Sequence, residues 1–415
     1  MFRFCRVGVL FLVVAQAGAE NWPCFRGPTG QGISMETKLP IEWSATNNVA
    51  WKAPIPGEGW SSPIVWGERV FLTTTLQDGV KCHVFCLDAA SGRTLWDTEV
   101  MEQAPSHKEK RNSFATPTPC TDGERVYAVF SDGSVAALSF AGKVLWTNRE
   151  VKFYSRHGLG ASPLLHDGLL IMPYDGSMRV ATAGVYPNNT EEEKTGWQIA
   201  WDKAFIVALD ARTGRRVWMA KRGMSKVAHA TPIVFCGEII SCAGDCIQGF
   251  DPKTGKLLWN VFSLGEGVTA TPVIGDGLIF TASGARPATL RTVRTGGKGD
   301  VVWEHQKGVP MCVSPLYVKP YLYTVTDAGM VNCLQAATGE VVYQERLRGR
   351  YGASPVYADG RIYLLLESGE TVVFAPGPQF KILARNPLDE KCQASMAVSG
   401  RRFFIRTDKH VYCIR

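Results

Sequence analysis

Several residues able to recognise a charged partner fall in short polar segments between recurring apolar runs. His107, Lys110 and Arg111 share one segment, and Arg156 and His157 share another. His229 stands in a third, and Arg350 with Tyr351 in a fourth. Trp60 sits just before the first of the apolar runs. A guanidinium fork matches a carboxylate or other planar anion, and an imidazole can donate or accept near neutral pH. An indole adds a flat apolar face with one N–H donor. Such a set describes a funnel for an anion, a carboxylate or a peptide. It does not complete a catalytic constellation. No Gly-x-Ser-x-Gly elbow is present, and Ser155 lies too close to His157 in sequence to mean a triad. No Glu, Asn and Asp set recurs at a metal-like spacing. Catalytic residues and metal ligands are therefore both assigned as none.

The cysteines call for separate readings. Cys86, Cys333 and Cys413 occupy one equivalent strand position, where other units place Ala137, Ala208 and Gly249. That slot wants a small residue, and Cys serves there as a small hydrophobe. Cys82 and Cys86 lie four apart on one strand and cannot pair while extended. Cys242 and Cys246 flank Ala243-Gly244-Asp245, a hairpin tip, so a disulfide between them is a possible pairing across the ladder.

What must position these residues is a repeat. A small residue, Ser or Thr, then Pro recurs before an apolar run. The copies centre on Ser62, Thr116, Ser162, Thr231, Thr271, Ser314 and Ser354, with a degenerate one at Ser395. From the third copy on, the spacing is 40 to 43 residues, apart from one gap of 69. A period near 40 is the size of a four-stranded propeller blade. Each unit reads as four strands, A to D. An Asp-Gly turn such as Asp276-Gly277 follows strand A, and strand C ends in a turn such as Asp210-Ala211-Arg212-Thr213-Gly214. Strand D carries a large aromatic: Trp96, Trp146, Trp218, Trp259, Trp303 and, in the sixth unit, Tyr343. Trp51 carries the same signature but precedes the first unit, and the chain ends on a strand C. The spacing therefore predicts an all-β fold, an eight-bladed β-propeller of four-stranded antiparallel blades. The strand around Trp51 completes the last blade and removes the open edge. The D-to-A and B-to-C loops then converge on an axial mouth, bringing the polar residues above together. The gap of 69 is one long B-to-C loop, residues 175–203, with an acidic run at Glu191-Glu192-Glu193.

The turn-plus-tryptophan signature resembles the docking repeat of quinoprotein (PQQ-dependent) alcohol dehydrogenases, shared by a non-catalytic outer-membrane assembly lipoprotein. The opening Trp22-Pro23-Cys24-Phe25-Arg26-Gly27-Pro28 and the blade pattern are closer still to secreted bacterial PQQ-like repeat proteins. The resemblance covers nearly the whole chain and implies the propeller fold, with the aromatics as inter-blade docking residues. It also implies an alternative activity, a PQQ- and calcium-dependent alcohol or sugar dehydrogenase. Such enzymes need a carboxylate-held Ca²⁺, an Asp base, a Trp floor and often adjacent cysteines. This chain has no Cys-Cys pair and lacks their long insertions, so no cofactor is assigned.

The N-terminus bounds where the protein works. Arg3 and Arg6, the apolar run Val7 to Ala15 and Ala17-Gly18-Ala19 read as a cleaved secretory signal over residues 1–19. Residues 20–48 form an N-terminal extension and 49–415 the propeller. The formal charge of +7 is dispersed among 45 basic and 38 acidic residues, which argues against a nucleic-acid footprint. No segment is apolar enough to span a bilayer. The expectation is a periplasmic or secreted, non-catalytic scaffold that binds a protein or small ligand at its axial mouth.

Overall fold

The computed structural model describes residues 19–105, 108–151, 153, 157–175, 198–199, 204–222, 225–226, 228–243, 246–262, 268–284, 287–294 and 300–415. Eight four-stranded antiparallel sheets follow one another around a ring. Blade 1 is built from Ile64–Trp66, Arg69–Leu76, Lys81–Asp88 and Thr94–Glu102, and blades 2 to 7 repeat the plan. Blade 8 takes Ala397–Ser399, Arg402–Arg406 and His410–Ile414 from the C-terminus. Its outer strand is Val49–Pro54, paired antiparallel to His410–Ile414 with Trp51 opposite Cys413. The leftover tryptophan signature thus closes the ring, as its position in the sequence predicts. The proposed signal residues lie outside the described part, except for Ala19.

The core lies between blades. A buried apolar cluster spans each of the first six blade-to-blade contacts, and one larger cluster joins blades 7, 8 and 1. Burying both faces of each sheet explains the nearly continuous burial of strands such as Val84-Phe85-Cys86-Leu87.

The aromatics dock where the repeat places them. In the ladder between strands C and D, the small slot lies opposite the aromatic: Cys86 with Trp96, Ala137 with Trp146, Ala208 with Trp218, Gly249 with Trp259 and Cys333 with Tyr343. A β-bulge follows each of these pairs, adding local twist. The indole N–H then reaches the C–D turn of the next blade: Trp51 to the Ala89 carbonyl, Trp96 to Phe140, Trp146 to Ala211, Trp218 to Pro252 and Trp303 to Ala336. The turn glycine is needed twice over at Gly214. Its φ is +71°, and a Cβ would lie 2.4 Å from Trp146. Trp259 departs from the pattern, since its N–H bonds Glu238 of its own blade at 2.7 Å. Tyr343 docks by ring contact with Phe380 of blade 7.

The structure corrects two sequence readings here. The second repeat copy opens at Thr118-Pro119, because strand A of blade 2 is Cys120–Thr121. The tandem Thr-Pro-Thr-Pro offered two frames, and Thr116 is the wrong one. The expected pairing of Cys242 with Cys246 across the ladder does not fit the strand register. Cys242 opposes Ile247, so Cys246 projects from the other face of the ladder.

The N-terminal extension, which has no periodicity, runs along the inner strands. Trp22 bridges Val65 of blade 1, Gln31 accepts the Ile274 N–H of blade 5, and Ile33 bridges Tyr357 of blade 7. Arg26, buried between them, donates to the Gln31 and Pro315 carbonyls at 2.8 Å. Burial pushes its pKa down to about 9. The extension closes the central channel with a folded plug.

Candidate functional site

The Ser and Thr of the repeat signal surround the axis. At six of the eight seams the backbone N–H bonds the hydroxyl of the next blade: Ser62 to Thr118, Thr118 to Ser162, Ser162 to Thr231, Thr271 to Ser314, Ser314 to Ser354 and Ser354 to Ser395, at 2.9–3.1 Å. At the seam between blades 8 and 1, the buried Arg406 bonds the Ser61 carbonyl, the Ser61 hydroxyl and the Thr73 carbonyl. The small-Ser/Thr-Pro signal is therefore an inter-blade staple. Each hydroxyl that accepts an N–H keeps its own O–H to donate.

Above this ring lies a cavity of about 520 Å³. Phe25 of the plug and Ser62, Thr118, Ser162, Thr231, Ser314, Ser354 and Ser395 line it. Trp60, Lys110, Arg111, His157 and His229 complete the wall, so five of the nine expected mouth residues converge. His107 and Arg156 lie outside the described residues, as does most of the 175–203 loop. Arg350 and Tyr351 are not in the lining. The Arg350 side chain is exposed and pairs with Glu367 at 3.7 Å, while the Tyr351 side chain is fully buried. Tyr351 belongs to the core between blades 6 and 7, because it stands three residues before the repeat Ser354, a position that is also buried in other blades at Leu159, Ala228, Val268 and Cys392. Sequence reasoning missed Asn112, Met311, Cys312 and Gln393, which also line the cavity.

The segment Lys108–Asn112 straps the mouth. Lys108 pairs with Glu58 at 2.8 Å, and the Asn112 side-chain amide donates to the His157 carbonyl. Arg111 reaches across the axis to blades 6 and 7. It donates to Asp327 at 2.7 Å, to Glu367 at 2.8 Å and to the Tyr351 carbonyl at 3.0 Å. The guanidinium expected to bind a ligand is thus committed to holding the strap. Lys110, next to it, is exposed and faces the cavity.

His229 is the unusual group. Both ring nitrogens are shut off from solvent and have no hydrogen-bond partner among the described residues. Burial, with the nearby His157 adding to it, pushes its pKa down to about 3. The ring is therefore neutral, offering one donor and one acceptor. His157 meets it edge-on at 6.1 Å and pairs with Glu109 at 3.5 Å. Cys312 does not supply a thiolate, since burial pushes its pKa up to about 12.

Comparison with known proteins agrees with this architecture. A family model described as "Outer membrane protein assembly factor BamB" matches residues 36–152, 80–184, 202–318 and 311–375. Tetrathionate hydrolase from Acidithiobacillus ferrooxidans is 21% identical over 77% of this chain and 52% of its own. The chain spans about half the length of the curated relatives it matches. Among solved structures, BamB from Moraxella catarrhalis superposes with a TM-score of 0.61 at 14% identity, covering 88% of this chain and 99% of that one. Quinohemoprotein alcohol dehydrogenase from Comamonas testosteroni superposes at 0.68 and 12% identity, covering 95% and 80%. The described residues contain no helix long and apolar enough to cross a membrane. With most of its length matched by that family model and eight blades of the same repeat, the chain belongs to the outer membrane protein assembly factor BamB family of PQQ-type propellers.

Proposed function

We propose that this protein is an exported, non-catalytic scaffold whose axial mouth binds an acceptor-rich group, such as a carboxylate, carried by a small ligand or by a segment of a partner protein. The observation that carries this reading is the walled cavity with His229 unpartnered at its side. Buried polar groups are normally satisfied, so a sealed, unpartnered imidazole in the cavity wall marks a place where a small side-chain shift would let a ligand supply the missing bonds. The lining is mostly apolar, and the Ser and Thr of the ring and Lys110 are isolated donors on it, which suits a ligand with an apolar body and an acceptor oxygen. Kinship with a periplasmic, outer-membrane-associated family supports export and a protein partner.

A quinone with calcium does not fit the donors present. The carboxylates of Asp327 and Glu367 are both occupied by Arg111. Among the described residues, no cluster of three or more His, Cys, Asp and Glu could hold a metal. Among the described lining residues, a protonated Cys312 and a histidine of such low basicity do not make a nucleophile paired with a base.

The test is a thermal-shift series on the purified full chain with malonate, citrate, glucuronate, and PQQ plus Ca²⁺. Stabilisation by an acid ligand, lost in His229→Ala, is expected. A shift with PQQ and calcium, accompanied by alcohol-dependent dye reduction, overturns the reading.

A further inference from the structure

The plug touches blade 2 at a pair of cysteines. Trp22 and Val65 exchange both backbone hydrogen bonds, at 2.8 and 2.9 Å, in an antiparallel bridge. One residue on, the Pro23 carbonyl accepts the Thr121 N–H at 3.0 Å. This bond brings the residues next in sequence, Cys24 and Cys120, close together at the point where the extension bends. Both thiols are free in this structure, and the Cys24 thiol donates to the Gly27 carbonyl at 3.0 Å. A disulfide needs Cα atoms roughly 4.4–6.8 Å apart.

The side chains agree with the backbone. Cys120 is buried in the cluster between blades 2 and 3, and Cys24 packs against that same cluster. Burial raises the Cys120 thiol well above its usual range, and the nearby Cys24 sulfur adds to the effect. Cys82 and Cys86, or Cys242 and Cys246, do not face each other across a ladder.

We propose that Cys24 and Cys120 are a disulfide site that fastens the channel plug, and with it the Phe25 floor of the cavity, to the second blade. The presence of an oxidant in the cell rests on the export reading above; the pairing itself rests on the geometry. The oxidant is a disulfide, protein-borne or glutathione disulfide. The half-buried Cys24 thiolate attacks it, forming a mixed disulfide and releasing one thiol. The Cys120 thiolate then attacks the Cys24 sulfur and expels the second thiol. Two thiols lose two protons and two electrons, and the oxidant gains them. With the Cys24 pKa pushed up to about 12 by burial, exchange in the folded chain is slow. Oxidation during folding is the faster route.

The full chain, reduced and then refolded in glutathione redox buffer, is alkylated, digested and mapped by mass spectrometry. A Cys24 peptide joined to a Cys120 peptide, and separated by reductant, is expected. A Cys236→Ser control, altered at an exposed cysteine, keeps the joined peptide and Cys24→Ser loses it. The oxidised chain should melt roughly 5 °C above Cys24→Ser, because the bridge closes a loop of about a hundred residues. Recovery of Cys24 and Cys120 each alkylated, or of Cys24 joined to another cysteine, overturns the proposal. Cell fractionation reads export separately: retention in the cytosol refutes the export reading and leaves the in-vitro pairing result as it stands.

Discussion

Replacing Arg111 by Met should release the strap without unfolding the ring. Arg111 is 32% exposed, and its partners Asp327 and Glu367 are 22% and 15% exposed. Removing one partner from a fully buried pair costs about 3–5 kcal/mol, whereas a surface pair contributes about 0–1 kcal/mol. The intermediate exposure here, with two carboxylates left behind, places the cost at about 2 kcal/mol. A change of that size raises the open population about 30-fold, taking about 1.4 kcal/mol per factor of ten. The strap is local, so hydrogen exchange is the suitable assay. The Asn112 amide, which donates to the Glu109 carbonyl, and the Glu109 amide, which donates to the His157 carbonyl, are the reporters. Both should exchange about 30-fold faster in Arg111→Met, while amides of the closing strand Val49–Pro54 stay unchanged. Adding Asp327→Asn and Glu367→Gln should leave the strap loose, because the contact across the axis is gone whether or not the carboxylates are charged. Exchange at Glu109 and Asn112 within twofold of wild type would refute the idea that Arg111 holds the mouth.

Other outcomes follow from the same geometry. Gly214→Ala should destabilise the chain by more than about 2 kcal/mol in denaturant titrations, through strain at φ +71° and a clash with Trp146. Trp218→Phe keeps most of the packing but loses the N–H bond to Pro252, and should cost about 1 kcal/mol in the same assay. Glu390 bonds Lys52 on the closing strand, Thr407 and His410. Burial pushes its pKa up, but these bonds prevail and hold it down at about 2. Its folded pKa lies below the unfolded value, so its stabilisation is full above about pH 4.5 and is lost as pH falls toward 2. The wild-type melting temperature should therefore fall more steeply than that of Glu390→Gln across this window.

Much of the ring was legible in the sequence because each blade repeats the same local solution. The small slot at Cys86, Ala137 and Ala208 and the aromatic opposite it announce one another at a fixed spacing. Trp51 showed how the ends meet because it carried the signature without a unit of its own. Thr118 was misread because two Thr-Pro steps run together, and only strand pairing selects the frame. The strap was not legible. Arg111 meets Asp327 and Glu367 across 216 and 256 residues, and no local pattern encodes that contact. For the same reason Arg111 looked like a ligand-binding group, and the plug looked like a featureless extension. His229 was named as a mouth residue, but its neutrality comes from burial by distant blades, which no neighbouring residue reveals.

The most direct measurement follows the His229 imidazole by ¹⁵N NMR while malonate or citrate is titrated into the full chain. His166, half-buried at a blade edge away from the cavity, serves as the internal reference. Saturable shifts of both His229 nitrogens, with His166 unmoved, are the expected result. A His229 ring indifferent to these acids at millimolar concentration, or moving only in step with His166, would contradict a binding role for the axial cavity.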